Sequence, residues 1–152
     1  MDYLVPLYNT AFISQEYIAN EITIRKPIGP EKDTVLSWIE ATFSMGWRCE
    51  AETAYCHSNG LYIAVKGGRI CGFASFDGTA KGYFGPMGVS PEWRGCGVGQ
   101  SLLCVTLRAM RDAGYGYAVI PTNSHAYYAQ YLELFEIPNS EKGIYHDMLP
   151  IV

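Results

Sequence analysis

Patterns that mark a metal or disulfide framework are missing from these 152 residues. The five cysteines, Cys49, Cys56, Cys71, Cys96 and Cys104, are odd in number, and no two are spaced as C-x-x-C. That argues against both a stapled scaffold and a zinc site. His57, His125 and His146 are scattered, so no metal is expected, and the cysteine usage fits a reducing cytoplasm. Basic charge is also short, with 11 Lys and Arg against 15 Asp and Glu, a net charge of −4. A nucleic-acid partner wants clustered cations, so none is expected, and a cationic, amine-bearing partner is mildly favoured. Long apolar runs are absent as well. The patches between Met1 and Asn20 are interrupted by Asp2, Pro6, Asn9, Gln15 and Glu16, with no basic leader, which excludes a signal peptide, a membrane span and a membrane partner. No internal repeat, linker or low-complexity run is visible.

What is present is a hydrophobic content of 49%, enough for one domain to bury a core without staples. Residues 1–21 are set apart as an N-terminal extension, serving either as packing or as a partner or dimer contact, and 22–152 as the domain. Ile22 to Lys26 alternates like a short strand, and Pro27 to Pro30 ends it with a proline at the start of a helix. That helix runs to about Phe43 on the face of Val35, Leu36 and Ile39, and a second from Trp47 to Cys56 stops at Asn59-Gly60. Leu61 to Lys66 and Arg69 to Phe76 flank the hairpin turn Gly67-Gly68. Asp77-Gly78 turns into a strand from Ala80 to Val89. Its Gly85, Pro86, Met87 and Gly88 predict a bulge, since proline donates no ladder bond and glycine packs no side chain. A helix follows, with Leu102, Val105, Ala109 and Ala113 on one face and Leu103, Leu107 and Met110 widening it. A strand from Tyr117 to Ile120, a helix from Ser124 to Leu132 and a last strand complete the chain. The expected fold is a single α/β (α+β) domain: a mixed central sheet with antiparallel N-terminal strands, a parallel strand-helix-strand crossover, and helices on both faces.

Between strand and crossover helix lies Val89-Ser-Pro-Glu-Trp-Arg-Gly-Cys-Gly-Val-Gly-Gln-Ser-Leu-Leu103, three glycines in a turn that opens a helix. The first amides of a helix have no intrahelical partner and sit at the positive end of its dipole, so the amides near Gly95 to Gln100 can converge on one anion. ATP and GTP loops need a lysine where Gln100 precedes Ser101. A dinucleotide fingerprint needs G-x-G-x-x-G and a later acidic residue, but these glycines are spaced G-x-G-x-G.

Val89, Pro91, Arg94, Gly95, Gly97, Gly99, Leu102 and Leu103 fit V-x-P-x-x-R-G-x-G-x-G followed by a small residue and two leucines. This motif resembles that of the GNAT superfamily of acyl-CoA-dependent N-acyltransferases. The likeness is tight over Met87 to Leu107 and looser from Ile22 to Leu149. It implies acetyl-CoA as co-substrate and transfer of its acetyl group to a primary amine of a small molecule or peptide, by direct attack in a ternary complex. A non-catalytic acyl-CoA-sensing module is the alternative, and a homodimer is open. The resemblance implies that Met87, Gly88 and Val89 bind the pantetheine arm through main-chain atoms. Arg94, Gly95, Cys96, Gly97, Val98, Gly99 and Gln100 would bind its diphosphate, and Asn123 and Ser124, which look like a helix cap, would touch the arm.

The resemblance also implies a tyrosine that protonates the departing thiolate. Tyr127-Tyr128 imitates the family's aromatic pair, but Leu132-Glu133 replaces the glycine and aromatic that should follow. Tyr128 is the candidate and Tyr131 the reserve. A main-chain N–H near Met87 would meet charge developing on the carbonyl oxygen, a contribution of about 10² to 10³ in rate. For the amine's base, the strand has no carboxylate between Lys81 and Val89. Glu50 is the choice over Glu52, Asp77 and water, with Trp47 and Tyr55 as pocket walls. Cys96, inside the turn, is expected to be a bystander.

Overall fold

The computed structural model describes residues 1–8, 10–16 and 21–151. Asn9, residues 17–20 and Val152 lie outside them, and with them part of the segment set apart at the N-terminus. Gly67 and Gly68, at φ of 56° and 75°, make the left-handed two-residue turn that a twisted hairpin needs. It joins β3 (Leu61–Lys66) to β4 (Arg69–Phe76). With β2 (Thr23–Arg25) on one side and β5 (Phe84–Val89) on the other, they form an antiparallel sheet in the order β2-β3-β4-β5. Cys71 is the extra residue of a bulge, because Val65 pairs with Ile70 while Ala64 pairs with Gly72.

Helices cover both faces of this sheet. On one, α1 (Lys32–Thr42) and α2 (Met45–His57) lay Val35, Leu36, Ile39 and Ala51 against Leu61, Ile63 and Phe73. Ser44 caps α2 by accepting the Trp47 N–H at 3.1 Å. On the other, α3 (Val98–Asp112) packs Leu102, Leu103, Leu107 and Met110 against Ala64, Ala74 and Phe76. The buried face of α3 is centred on Leu103, Leu107 and Met110, with Thr106 among them, while Ala113 is exposed. The 3.6-residue period was right, but its stripe is turned by about one position. Arg108 lies half-buried, its guanidinium donating to the carbonyls of Ile13 (2.8 Å) and Gln15 (2.6 Å) and pinning the N-terminal chain to the helix.

The first residues are themselves a strand. β1 (Asp2–Pro6) lies between β6 (Tyr117–Pro121) and β7 (Phe135–Glu136) in a second antiparallel sheet, ordered β6-β1-β7, and Val5 and Leu7 enter the core. The fold is α+β, and the parallel ladder expected across α3 does not form among the described residues. Tyr83 and Val119 make an isolated parallel bridge, with the Val119 N–H on Gly82 O at 2.9 Å. Beyond it, Gly85 at a φ of 109° and Pro86, which has no N–H, end pairing on that edge, and β6 turns to β1 instead.

Two elements are shorter than the sequence suggests. β5 begins at Phe84 rather than Ala80, because the Asp77 carboxylate accepts from Gly82 N–H and the Tyr115 hydroxyl, both at 2.7 Å, and ties residues 77–82 into a loop. α4 (His125–Ala129) stops before Leu132, whose N–H still reaches Tyr128 O at 2.9 Å as its side chain enters the core. No helix among the described residues is long and apolar enough to cross a membrane.

Candidate active site

Because β5 and β6 part after one bridge, a cavity of about 1190 Å³ opens between them. Its walls are β5, the glycine turn, the chain after β6 and the tyrosines of α4. Phe43, Trp47 and Glu50 close it on the side of α1 and α2, and Asp2, Glu141, Gly143 and Tyr145 come from the two ends of the chain.

The turn is shaped by backbone angle. Gly95 and Gly97 have φ of 79° and 83°, left-handed values that glycine adopts without strain, and Gly97 is the N-cap of α3. A glycine cap has no side chain to bond the first amides. Ser101 donates the first intrahelical bond, to Gly97 O at 3.1 Å, which leaves the Val98, Gly99 and Gln100 amides ahead of the ladder at the positive end of a fifteen-residue helix. Gly99 fills a different need, because a Cβ there would come within 2.6 Å of the Tyr127 hydroxyl oxygen. Arg94 is exposed, with its Nε donating to Val89 O at 3.2 Å. Cys96 alone of residues 94–100 does not line the cavity; its side chain is exposed. The turn thus offers the cavity amides that lie ahead of the helical ladder, with a guanidinium at its edge, the kind of helix end at which anions bind.

Strand phase decides what β5 offers. Ser90 N–H donates to Cys71 O at 2.8 Å, and Gly88 stands two residues away, opposite Phe73. Alternate residues of an antiparallel ladder face the partner strand, so Gly88 turns its main-chain groups to β4 while Met87 and Val89 turn theirs to the gap. Gly88 has its own constraint, since a Cβ there would meet the Phe43 ring at 2.5 Å.

Tyr127, Tyr128 and Tyr131 all line the cavity. Tyr128 stands edge-on to Phe84 of β5, with ring centroids 6.2 Å apart, and burial pushes its phenol well above the ordinary tyrosine value. Burial raises Tyr127 too, with Tyr131 adding to the shift. Tyr131 packs on Phe12, with ring centroids 5.3 Å apart. Asn123 and Ser124 line the cavity, but the Ser124 side chain caps nothing; Thr122 Oγ1 accepts the Ser124 N–H at 2.8 Å instead.

On the acceptor side the candidates separate. Glu50 faces the cavity and accepts the hydroxyls of Tyr145 (2.6 Å) and Thr79 (2.9 Å); burial, and then the bond to Glu50, push Tyr145 up to about 12. Glu52 is paired with Lys32 at 3.5 Å, and Asp77 is spent on its loop; neither lines the cavity. Trp47 is a wall, stacked on Phe43 at 5.0 Å, whereas Tyr55 packs outside it. His125 is exposed against Tyr3. Sequence reasoning missed Asp2, Phe43, Glu141 and Tyr145, which reach the site from distant segments with no local motif. Tyr127 was visible only as half of an aromatic pair.

The model of the acetyltransferase (GNAT) family matches residues 32–132. This chain belongs to that family. No curated protein sequence matches it. Solved structures share the fold. A GCN5-related N-acetyltransferase from Sphaerobacter thermophilus superposes with a TM-score of 0.65 at 18% identity, over 88% of this chain and 47% of that one. A GNAT family acetyltransferase from Brucella melitensis in complex with acetyl-CoA gives 0.56 at 23%, over 76% and 88%. An Escherichia coli GNAT family N-acetyltransferase in complex with CoA gives 0.50 at 17%, over 66% and 62%. The chain thus spans about half the length of the Sphaerobacter protein.

Proposed function

We propose that this GNAT-family protein transfers the acetyl group of acetyl-CoA to a primary amine of a small molecule or peptide. The observation that carries the proposal is that one cavity joins a glycine turn at a helix N-terminus, a strand edge facing a gap and a half-buried tyrosine. Acetyl-CoA supplies an activated thioester. Residues 94–100 hold its diphosphate through the Gly95 to Gln100 amides, with Arg94 beside them and Cys96 contributing main chain only. Met87 and Val89 pair with the pantetheine arm, Gly88 lets Phe43 close over the strand, and Asn123 and Ser124 flank the arm.

The acceptor enters between Trp47 and Glu50. Glu50 takes the amine's proton, directly or through a water, and leaves a lone pair free to attack. Attack forms the C–N bond, and a Met87 N–H meets the charge that develops on the carbonyl oxygen. The C–S bond then breaks, and Tyr128 meets the sulfur. An ordinary alkyl thiol titrates at about 8.5, so a phenol raised by burial keeps its proton and stabilises the departing thiolate as a hydrogen-bond donor. The nitrogen, cationic after attack, gives up a second proton, and that proton neutralises the thiolate and leaves a neutral amide.

The test is release of CoA thiol from acetyl-CoA across a panel of amines. Tyr128→Phe is expected to lower kcat by about 10² or more with little change in CoA affinity. CoA binding with no thiol release from any amine would leave a sensing module instead.

A further inference from the structure

Glu50 is held by two hydroxyls from parts of the chain that only the fold brings together. Tyr145 donates to its Oε1 at 2.6 Å and Thr79 to the same oxygen at 2.9 Å, and all three residues line the cavity. Oε2 takes no hydrogen bond from the described residues. Other acids of α1 and α2 are tied to cations instead, Glu40 to Arg48 and Glu52 to Lys32. A hydroxyl orients a carboxylate without pairing its charge.

The frame behind each hydroxyl is fixed. Gly78 sits directly on the main chain of Glu50, where a Cβ would come within 2.3 Å of Glu50 O, so the next residue, Thr79, is delivered to the carboxylate. The C-terminal chain meets α2 at two points one helical turn apart. At Gly46 a Cβ would stand 3.0 Å from Ile151 Cδ1, and at Glu50 the Tyr145 bond forms. That chain is anchored at Ser140, whose Oγ accepts Asp2 N–H at 2.9 Å. It is then turned by bonds from Gly143 N–H to Ser140 O at 3.0 Å and from Met148 N–H to Tyr145 O at 3.1 Å. Burial, and then the Glu50 bond, lift the Tyr145 phenol to about 12, so it stays a donor throughout the neutral range.

A glutamate side chain has several rotatable bonds, whereas a base must lie within hydrogen-bond reach of the proton it takes. A misplacement of about 1 Å can cost about 10² in rate. We infer that Tyr145 and Thr79 are positioning residues, which hold Oε1 so that Oε2 meets the acceptor amine, and that the C-terminal segment is thereby part of the acceptor site. This rests on the acyl-transfer reading, in which Glu50 is the base. Both hydroxyls act through Glu50.

The test is steady-state release of CoA thiol from acetyl-CoA with n-butylamine, 1,4-diaminobutane and glycinamide as acceptors, alongside CoA affinity by calorimetry. Tyr145→Phe is expected to lower kcat by about tenfold or more, with the amine KM and CoA affinity changed by less than about twofold. Thr79→Val should act in the same direction, and Thr79→Ser, which keeps the hydroxyl, should retain the wild-type rate. In a Glu50→Gln background Tyr145→Phe should cost no further rate, because the group it steadies is gone.

An unchanged kcat in Tyr145→Phe overturns the inference. So does a loss confined to the amine KM, which would make the hydroxyl a substrate contact, or a full further loss in the Glu50→Gln background, which would make it structural. If Tyr145→Phe loses CoA binding, and with it evidence of folding, the contrast of Thr79→Val with Thr79→Ser decides. A Glu50→Gln variant with the wild-type kcat removes Glu50 as the base and the inference with it. CoA binding by the wild-type protein without thiol release from any of these amines strikes the acyl-transfer reading as well, whereas release indifferent to both hydroxyls strikes this inference alone.

Discussion

The hydroxyl of Tyr127 stands over Gly99, so close that a methyl group on that glycine would come within 2.6 Å of its oxygen. Tyr127 cannot step aside freely, because Tyr128 and Tyr131 flank it with ring centroids 5.1 and 5.7 Å away. Gly99→Ala is therefore expected to displace the tyrosine cluster and weaken CoA binding by about five- to tenfold, or about 1 to 1.4 kcal/mol. Tyr127→Phe in the same chain removes the clashing oxygen and should restore most of the loss. A cycle of the two single variants and the double, read as CoA affinity, would show coupling; additive losses would place the effect elsewhere.

Gly97 tests the turn by backbone angle alone. At its φ of 83°, a β-branched side chain is strained by about 1–2 kcal/mol or more, whereas asparagine tolerates this region better. Gly97→Val should lower CoA affinity by tenfold or more, and Gly97→Asn by much less. Equal losses in the two variants would mean that side-chain bulk, not backbone conformation, is what the turn excludes.

Tyr128 gives a prediction in pH. Burial lifts its phenol above the ordinary value of 10.0, so the proton stays on through the range in which an exposed tyrosine begins to ionise. The kcat of the wild-type protein should show no falling limb from Tyr128 between about pH 9 and about pH 10. A limb centred near 10 that vanishes in Tyr128→Phe would contradict the buried environment.

The Arg25–Glu31 pair gives a prediction for acid stability. Arg25 donates two bonds to the Glu31 carboxylate at 2.7 and 2.8 Å, Ile28 N–H adds a third, and the Glu31 pKa falls from 4.5 to about 2. A depressed carboxylate stabilises the fold fully above its unfolded value, and that stabilisation is lost as pH falls through the folded one. Glu31→Gln should unfold at a lower temperature than wild type at pH 6. The gap should close as pH falls from about 4.5 towards about 2, as followed by circular dichroism.

Legibility in the sequence followed the range of the interactions. The hairpin of β3 and β4 announced itself through Gly67-Gly68, a turn whose chemistry is complete in two residues, and the glycine turn before α3 through three more. Asp2 to Pro6 gave no such sign, because five residues without a turn signal become a strand only through Tyr117 to Pro121, which lie far along the chain. The same distance hid Asp2 and Tyr145 from any motif. Glu50 was favoured over Glu52 and Asp77 on weak grounds, and the ties that remove the other two, Lys32 to Glu52 and Gly82 to Asp77, are contacts of the folded state.

The ring of Phe43 seated on Gly88 welds the two halves of the cavity, since one aromatic side chain is at once a wall on the side proposed for the amine and the cover on the strand proposed to hold the thioester. Shaving that wall to admit a bulkier acceptor would bare the strand beneath it. Laboratory evolution of new acceptors should therefore stall at position 43 and advance through Trp47 and the 141–143 segment, where breadth can be gained without loosening the donor.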